Sequence, residues 1–162
     1  MNFAPLTGLS LNGLEASTWE EALSALADTA LEHGYVRDSF PAALVERERN
    51  YPTGLPTGLP TAIPHADPEH VLTAGLGIAR LAKPVPFGEM GRSNSVLDVQ
   101  LVVMLLVPAA QSHMAALTTV ISAVNDEARM HSLLAALDDQ DLEARATVAF
   151  SEIEARDALR AP

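Results

Sequence analysis

The chain has 162 residues, 48% of them apolar and 19% charged, which is long and apolar enough to enclose a core and excludes a disordered chain. The formal charge of −11, with ten basic residues of which Lys83 is the sole lysine, argues against a nucleic-acid surface, which needs clustered Lys and Arg. The absence of cysteine removes disulfides, thiol nucleophiles and thiolate metal sites, and fits a reducing cytoplasm. The first residues carry neither Lys nor Arg nor an apolar signal core, so a secretory signal is not expected. An acidic protein with scattered arginines suits basic partners, although charge alone favours plain solubility.

In chain order, Leu9 to Leu14 alternates weakly and predicts a short first strand. Ser17 followed by Glu20 reads as a capping box. Trp19, Leu23, Leu26, Ala27, Ala30 and Leu31 then recur at helical spacing until Gly34. Ser39 with Pro41 opens a second helix carrying Ala43, Leu44, Arg47 and Glu48. A tandem turn repeat follows, Pro52-Thr-Gly-Leu55 and Pro56-Thr-Gly-Leu59, in which Pro and Gly impose turns. Thr61 to Pro64 is expected to be extended, because Pro64 biases Ile63 toward β geometry.

Val71 to Ala82 and Leu97 to Val107 predict two strands, the second nearly all apolar and therefore central, covered on both faces. Gln100 to Asn125 lacks Asp, Glu, Lys and Arg, but Pro108, Gln111, Ser112 and His113 interrupt it, so strand, turn and helix explain it better than a membrane span. A helix over Gln111 to Val124 comes next, then one over Glu127 to Leu137 capped by Asn125 or Asp126. Shorter helical pieces are expected over Asp138 to Phe150 and Ser151 to Arg160. Strands interspersed with helices predict one α/β domain over 1–162, a three-layer α/β/α sandwich with a mixed central sheet.

Few residues are left to carry chemistry. No Gly-x-x-x-x-Gly-Lys-Ser/Thr loop and no Gly-x-Ser-x-Gly elbow is present. Five histidines remain, His33, His65, His70, His113 and His131. His65 follows Pro64 on a rigid platform, and a neutral imidazole is a good nucleophile near neutral pH; read alone, it fits a cap on a surface turn equally well. His113 shares the inward stripe of its helix with Leu117, Val120, Ile121 and Val124, as a core histidine does. Arg47, Glu48 and Arg49 read as a solvated helix face, although a guanidinium facing a phosphoryl group would neutralise its charge. His65, Asp67, Glu69 and His70 cluster in sequence, but Pro68 breaks any helix there and the spacing matches no familiar zinc site. His33 fits a helix C-terminus and His131 a helix surface.

Arg47-Glu48, Thr53-Gly54 and Ala62-Ile63-Pro64-His65-Ala66 resemble the pattern of the fructose/mannitol class of phosphotransferase EIIA domains. Pro84 to Gly91 looks like that family's post-strand loop. Leu101 to Val107, then His113 and an apolar helix, look like its central strand and second active-site histidine. Tyr51 to Thr57 and Pro64 to His70 look most like galactitol-type members.

The resemblance implies a phosphoryl carrier with a mixed sheet between helices. His65 takes a phosphoryl group from phospho-HPr and passes it to a cysteine of EIIB, itself associated with membrane EIIC. His113 is then the neighbouring histidine and Arg47 the phosphate-stabilising arginine, with Arg49 as the alternative because the turn repeat lengthens the stretch before His65. Neither ATP, cofactor nor metal is required, because phosphohistidine already has high transfer potential. The competing expectations are a nitrogen-type regulatory phosphoprotein of the same fold, and a metal-binding or interaction domain.

Overall fold

The computed structural model describes residues 3–158, with side chains through Ser151. Five strands and five helices follow in the order β1 (Pro5–Leu14), α1 (Trp19–Glu32), α2 (Phe40–Asn50), β2 (Gly54–Leu55), β3 (Thr61–Ala62), β4 (Gly75–Gly88), β5 (Val96–Leu106), α3 (Ala110–Val124), α4 (Glu127–Leu134) and α5 (Asp139–Ala158). The strands form one sheet in the order β1-β4-β5-β3-β2. β1 runs parallel to β4 and β3 parallel to β5, while β4/β5 and β2/β3 are antiparallel. The sheet is therefore mixed, as expected.

Burial on both faces explains the unbroken apolar run of β5. Successive side chains of a strand point to opposite faces, so Leu101, Val103 and Leu105 pack with α3, α4 and α5, while Val102, Met104 and Leu106 pack with α1 and α2. All six are fully buried, and each such side chain contributes about 1.5–3 kcal/mol relative to exposure. Two cores on one sheet make the three-layer α/β/α arrangement. None of the described helices is long and apolar enough to cross a membrane.

Several boundaries differ from the sequence reading. β1 starts at Pro5, earlier than Leu9. The cap of α1 lies one residue later than Ser17: Thr18 Oγ1 accepts from the Glu21 N–H at 3.2 Å, and the Glu21 carboxylate accepts from the Ser17 N–H at 2.8 Å. Both registers satisfy the Ser/Thr-x-x-Glu pattern, so sequence alone does not separate them. Gly34 does end α1. At φ +74 its N–H reaches the Leu31 carbonyl and that of Tyr35 the Ala30 carbonyl, both at 3.0 Å, as in a Schellman motif.

The expected strand from Val71 begins only at Gly75 and runs on to Gly88. Pro84 to Gly88 is thus strand rather than loop. β1 pairs with β4 only as far as Leu81, so Pro86 lies where β4 has β5 alone as neighbour, and Pro84 lies in the irregular stretch between the Arg80 and Val85 pairs; proline is tolerated at both kinds of position. α4 stops at Leu134 rather than Leu137, with Ala135 as its C-cap. The two expected C-terminal pieces are one helix, α5, and the end of the second, Leu159 and Arg160, lies outside the described residues.

Candidate active site

The carboxyl ends of β3 and β5, which run side by side, carry the chemistry-bearing residues, as is usual in sheets of this kind. Beyond β3 the chain continues alongside β5: Leu105 N–H donates to the Pro64 carbonyl at 3.0 Å, and His65 bridges Leu105. This places His65 against the central strand with only 4% of its surface exposed. Its Nδ1 lies 2.9 Å from the Ile63 carbonyl. A carbonyl can only accept, so Nδ1 carries the proton. The unprotonated Nε2 of the neutral ring then accepts from Arg47 Nη2 at 3.3 Å.

Burial is the main cause that lowers the pKa of His65 from 6.5 to about 4. The Ile63 carbonyl opposes it, the charges of Arg47 and His113 reinforce it, and Asp67 opposes it weakly. The ring is consequently neutral near pH 7, with its lone pair at Nε2.

Arg47 comes from the last turn of α2. Its Nη1 donates to the Tyr51 carbonyl at 2.7 Å, and its guanidinium carbon lies 5.1 Å from the Tyr51 ring centre. Arg49 engages Glu46 at 3.2 Å and lies 6.0 Å from the Trp19 ring centre. Two residues along a helix is more than half a turn, so the two arginines serve different surroundings and Arg47 is the one that meets His65.

His113 sits in the first turn of α3 and meets His65 edge to face, with ring centres 5.2 Å apart and planes at 62°. Its Nδ1 is buried without a hydrogen-bond partner. The fold therefore unites His65, Arg47 and His113. His70 goes elsewhere, with Nδ1 2.8 Å from Ser39 Oγ and Nε2 3.4 Å from Glu69. His33 caps α1 through Nδ1 to the Thr29 carbonyl at 2.9 Å, and His131 pairs with Glu127 at 3.5 Å on α4. Among the described residues no group of three or more His, Asp or Glu side chains is placed to hold a metal ion.

Glu48 contradicts the reading of Arg47-Glu48-Arg49 as a solvated face. It is 3% exposed, and its carboxylate accepts from Thr53 N–H at 2.9 Å and Thr53 Oγ1 at 2.8 Å. Burial pushes its carboxyl above the usual range, although the two Thr53 bonds and Arg47 pull it back. A signal for this was present, because Phe40, Leu44 and Glu48 recur every four residues as the buried stripe of α2. Gly54 adjoins Thr53 where backbones crowd: a Cβ there would lie 2.5 Å from the Gly88 carbonyl oxygen.

The family model described as "Phosphoenolpyruvate-dependent sugar phosphotransferase system, EIIA 2" matches residues 8–145, and the chain belongs to that family. Among solved structures it is similar to the mannitol IIA of Escherichia coli, with 26% identity, coverage of 83% of this chain and 92% of that one, and a TM-score of 0.66. The complex of enzyme IIAMtl and phosphorylated enzyme IIBMtl from Escherichia coli matches at 24% identity, 90% and 98% coverage and a TM-score of 0.71. The nitrogen regulatory protein IIA-Ntr from Neisseria meningitidis matches at 22% identity, 90% and 97% coverage and a TM-score of 0.67. No curated protein sequence matches the chain.

Proposed function

We propose that the chain, taken as one EIIA domain, carries a phosphoryl group on His65 between phospho-HPr and a cysteine of EIIB, in the cytoplasm and beside a membrane EIIC. The observation that carries this reading is the state of the His65 ring: neutral, protonated at Nδ1 on the Ile63 carbonyl, with an unprotonated Nε2 that Arg47 meets at 3.3 Å.

Nε2 attacks the phosphorus of the donor phosphohistidine in line. A bond forms between Nε2 and phosphorus as the bond to the donor ring nitrogen breaks, and the His65 proton stays on Nδ1 throughout. Loss of the phosphoryl group to the EIIB thiolate reverses the change and restores the neutral ring. Positioning and charge stabilisation carry most of such a transfer. Arg47, already at Nε2, then bonds the phosphoryl oxygens, and His113 supplies its unpartnered Nδ1 to the same group.

The galactitol-like segments around Tyr51 and His65 support a galactitol-related sugar downstream. A regulatory role is the second reading, supported by likeness to the nitrogen regulatory protein. Phosphoenolpyruvate, enzyme I and HPr supplied to the purified protein are expected to yield acid-labile phosphate that His65→Ala abolishes. Full labelling of that variant rejects the reading. Onward transfer to a galactitol-type EIIB separates the transport role from the regulatory one.

A further inference from the structure

Both ring nitrogens of His65 are held, and the two grips converge on one buried side chain. From Nδ1 the connection runs to the Ile63 carbonyl at 2.9 Å. The N–H of Ile63 donates to the Thr53 carbonyl at 3.3 Å, and Thr53 donates through N–H and Oγ1 to the Glu48 carboxylate. From Nε2 the connection runs to Arg47, the residue next to Glu48. Arg47 Nη1 is aimed by the Tyr51 carbonyl, which lies in the short segment that Glu48 draws back onto the end of α2. Hydrogen bonds thus link Glu48, Thr53, Ile63, His65 and Arg47 in series, and the peptide bond between Arg47 and Glu48 closes the circuit.

The Thr53 corner is otherwise held through its neighbours: Tyr51 N–H donates to the Arg47 carbonyl at 2.9 Å, and the Gly54 carbonyl accepts from the Met90 N–H at 2.8 Å. The strand that follows Thr53, β2, is two residues long and pairs with an equally short β3. β5 braces β3 from the opposite side through Thr61 and Ala62, but it does not touch the Tyr51–Thr53 segment through any β pairing. A carboxylate receiving two bonds from one residue is a strong local clamp. Its burial among apolar neighbours on the Phe40–Leu44 stripe leaves Thr53 as the partner that satisfies it.

We infer that Glu48 is a positioning residue for phosphoryl transfer: through Thr53 it sets both the carbonyl that fixes the His65 tautomer and the backbone that aims Arg47 at Nε2. This rests on His65 being the phosphoryl acceptor, but it concerns a state of the ring that exists before any phosphoryl group arrives. Glu48 touches neither the ring nor the reacting atoms.

The test combines a spectroscopic and a kinetic reading on the full chain. In long-range 1H–15N spectra of the unphosphorylated protein, wild-type His65 is expected as the Nδ1–H tautomer. Glu48→Ala is expected to give a mixture of tautomers and to slow uptake from phospho-HPr by about tenfold or more, as a misaligned reacting group does. Glu48→Gln keeps an oxygen for the Thr53 N–H and an amide for Thr53 Oγ1, and is expected to retain the wild-type tautomer and rate.

A folded Glu48→Ala protein with wild-type tautomer and rate overturns the inference. So does a Gln variant as impaired as the Ala variant, since the bonds that Gln keeps would then be irrelevant. Should Glu48→Ala fail to fold, Thr53→Val removes the hydroxyl bond at nearly constant shape and must shift the tautomer in the same direction; no shift overturns the inference. Failure of wild-type His65 to label would reject the carrier reading alone, because the tautomer measurement needs no phosphoryl donor.

Discussion

Arg47 and His65 lie 18 residues apart in the chain, yet Arg47 Nη2 reaches His65 Nε2 at 3.3 Å while its Nη1 is anchored on the Tyr51 carbonyl at 2.7 Å. One guanidinium thus spans a backbone anchor and the unprotonated ring nitrogen of His65. The two contacts come from separate nitrogens of a planar fork, whereas a lysine would have to make both from one ammonium nitrogen.

Arg47→Lys keeps the charge and loses the fork. It is expected to slow phosphoryl uptake from phospho-HPr by roughly 10²-fold, as removal of one charge-stabilising donor does. Arg49→Lys, which disturbs only the contacts to Glu46 and Trp19, is expected to leave the rate unchanged. Initial rates of labelling compare the two, and equal slowing would show that Arg47 has no special place.

The pH dependence follows from the buried imidazole. With the His65 pKa lowered from 6.5 to about 4, Nε2 keeps its lone pair down to that value, and an NMR titration of the ring is expected to show a midpoint near it. Because the folded value lies below the unfolded one, the unfolded chain binds the proton first. Stability from this group is therefore complete above pH 6.5 and is lost as pH falls toward about 4, by about 3 kcal/mol at most. Glu48 acts in the opposite sense: its raised pKa removes stability as pH rises above the ordinary carboxylate value. Urea unfolding of wild type and His65→Gln across this range is expected to show a smaller loss at low pH in the variant.

His113 separates function from folding. Its Nδ1 is buried without a partner, and such an atom destabilises a fold by about 1–3 kcal/mol. Replacing it with Phe fills similar space without that nitrogen. The expected result is a melting temperature unchanged or higher, together with impaired transfer to EIIB. A variant that transfers normally would return His113 to a packing role.

Much of this was legible locally. The apolar run of β5, the helical spacing of α1 and the glycine stop at Gly34 follow from periodicity and backbone geometry over a few residues. Boundaries were harder where two local solutions were equivalent, as with Ser17 and Thr18, or where a neighbouring strand decided the outcome, as with Pro86, carried into β4 by pairing with Asp98 of β5. The burial of Glu48 is harder to see, because a charged residue between two arginines resembles a solvated face, although its place on the Phe40–Leu44 stripe points inward.

The residue types and their order, by themselves, determined a mixed α/β sandwich, the family resemblance, and His65 on its proline platform as the leading candidate. Which of Arg47 and Arg49 meets His65, the pairing of His65 with His113, and which ring nitrogen of His65 is unprotonated were decided by tertiary structure alone. Each depends on which groups meet across segments distant in the chain. His65 owes its neutral state to burial against β5 and to partners on α2 and α3, none of which its neighbours in sequence can supply.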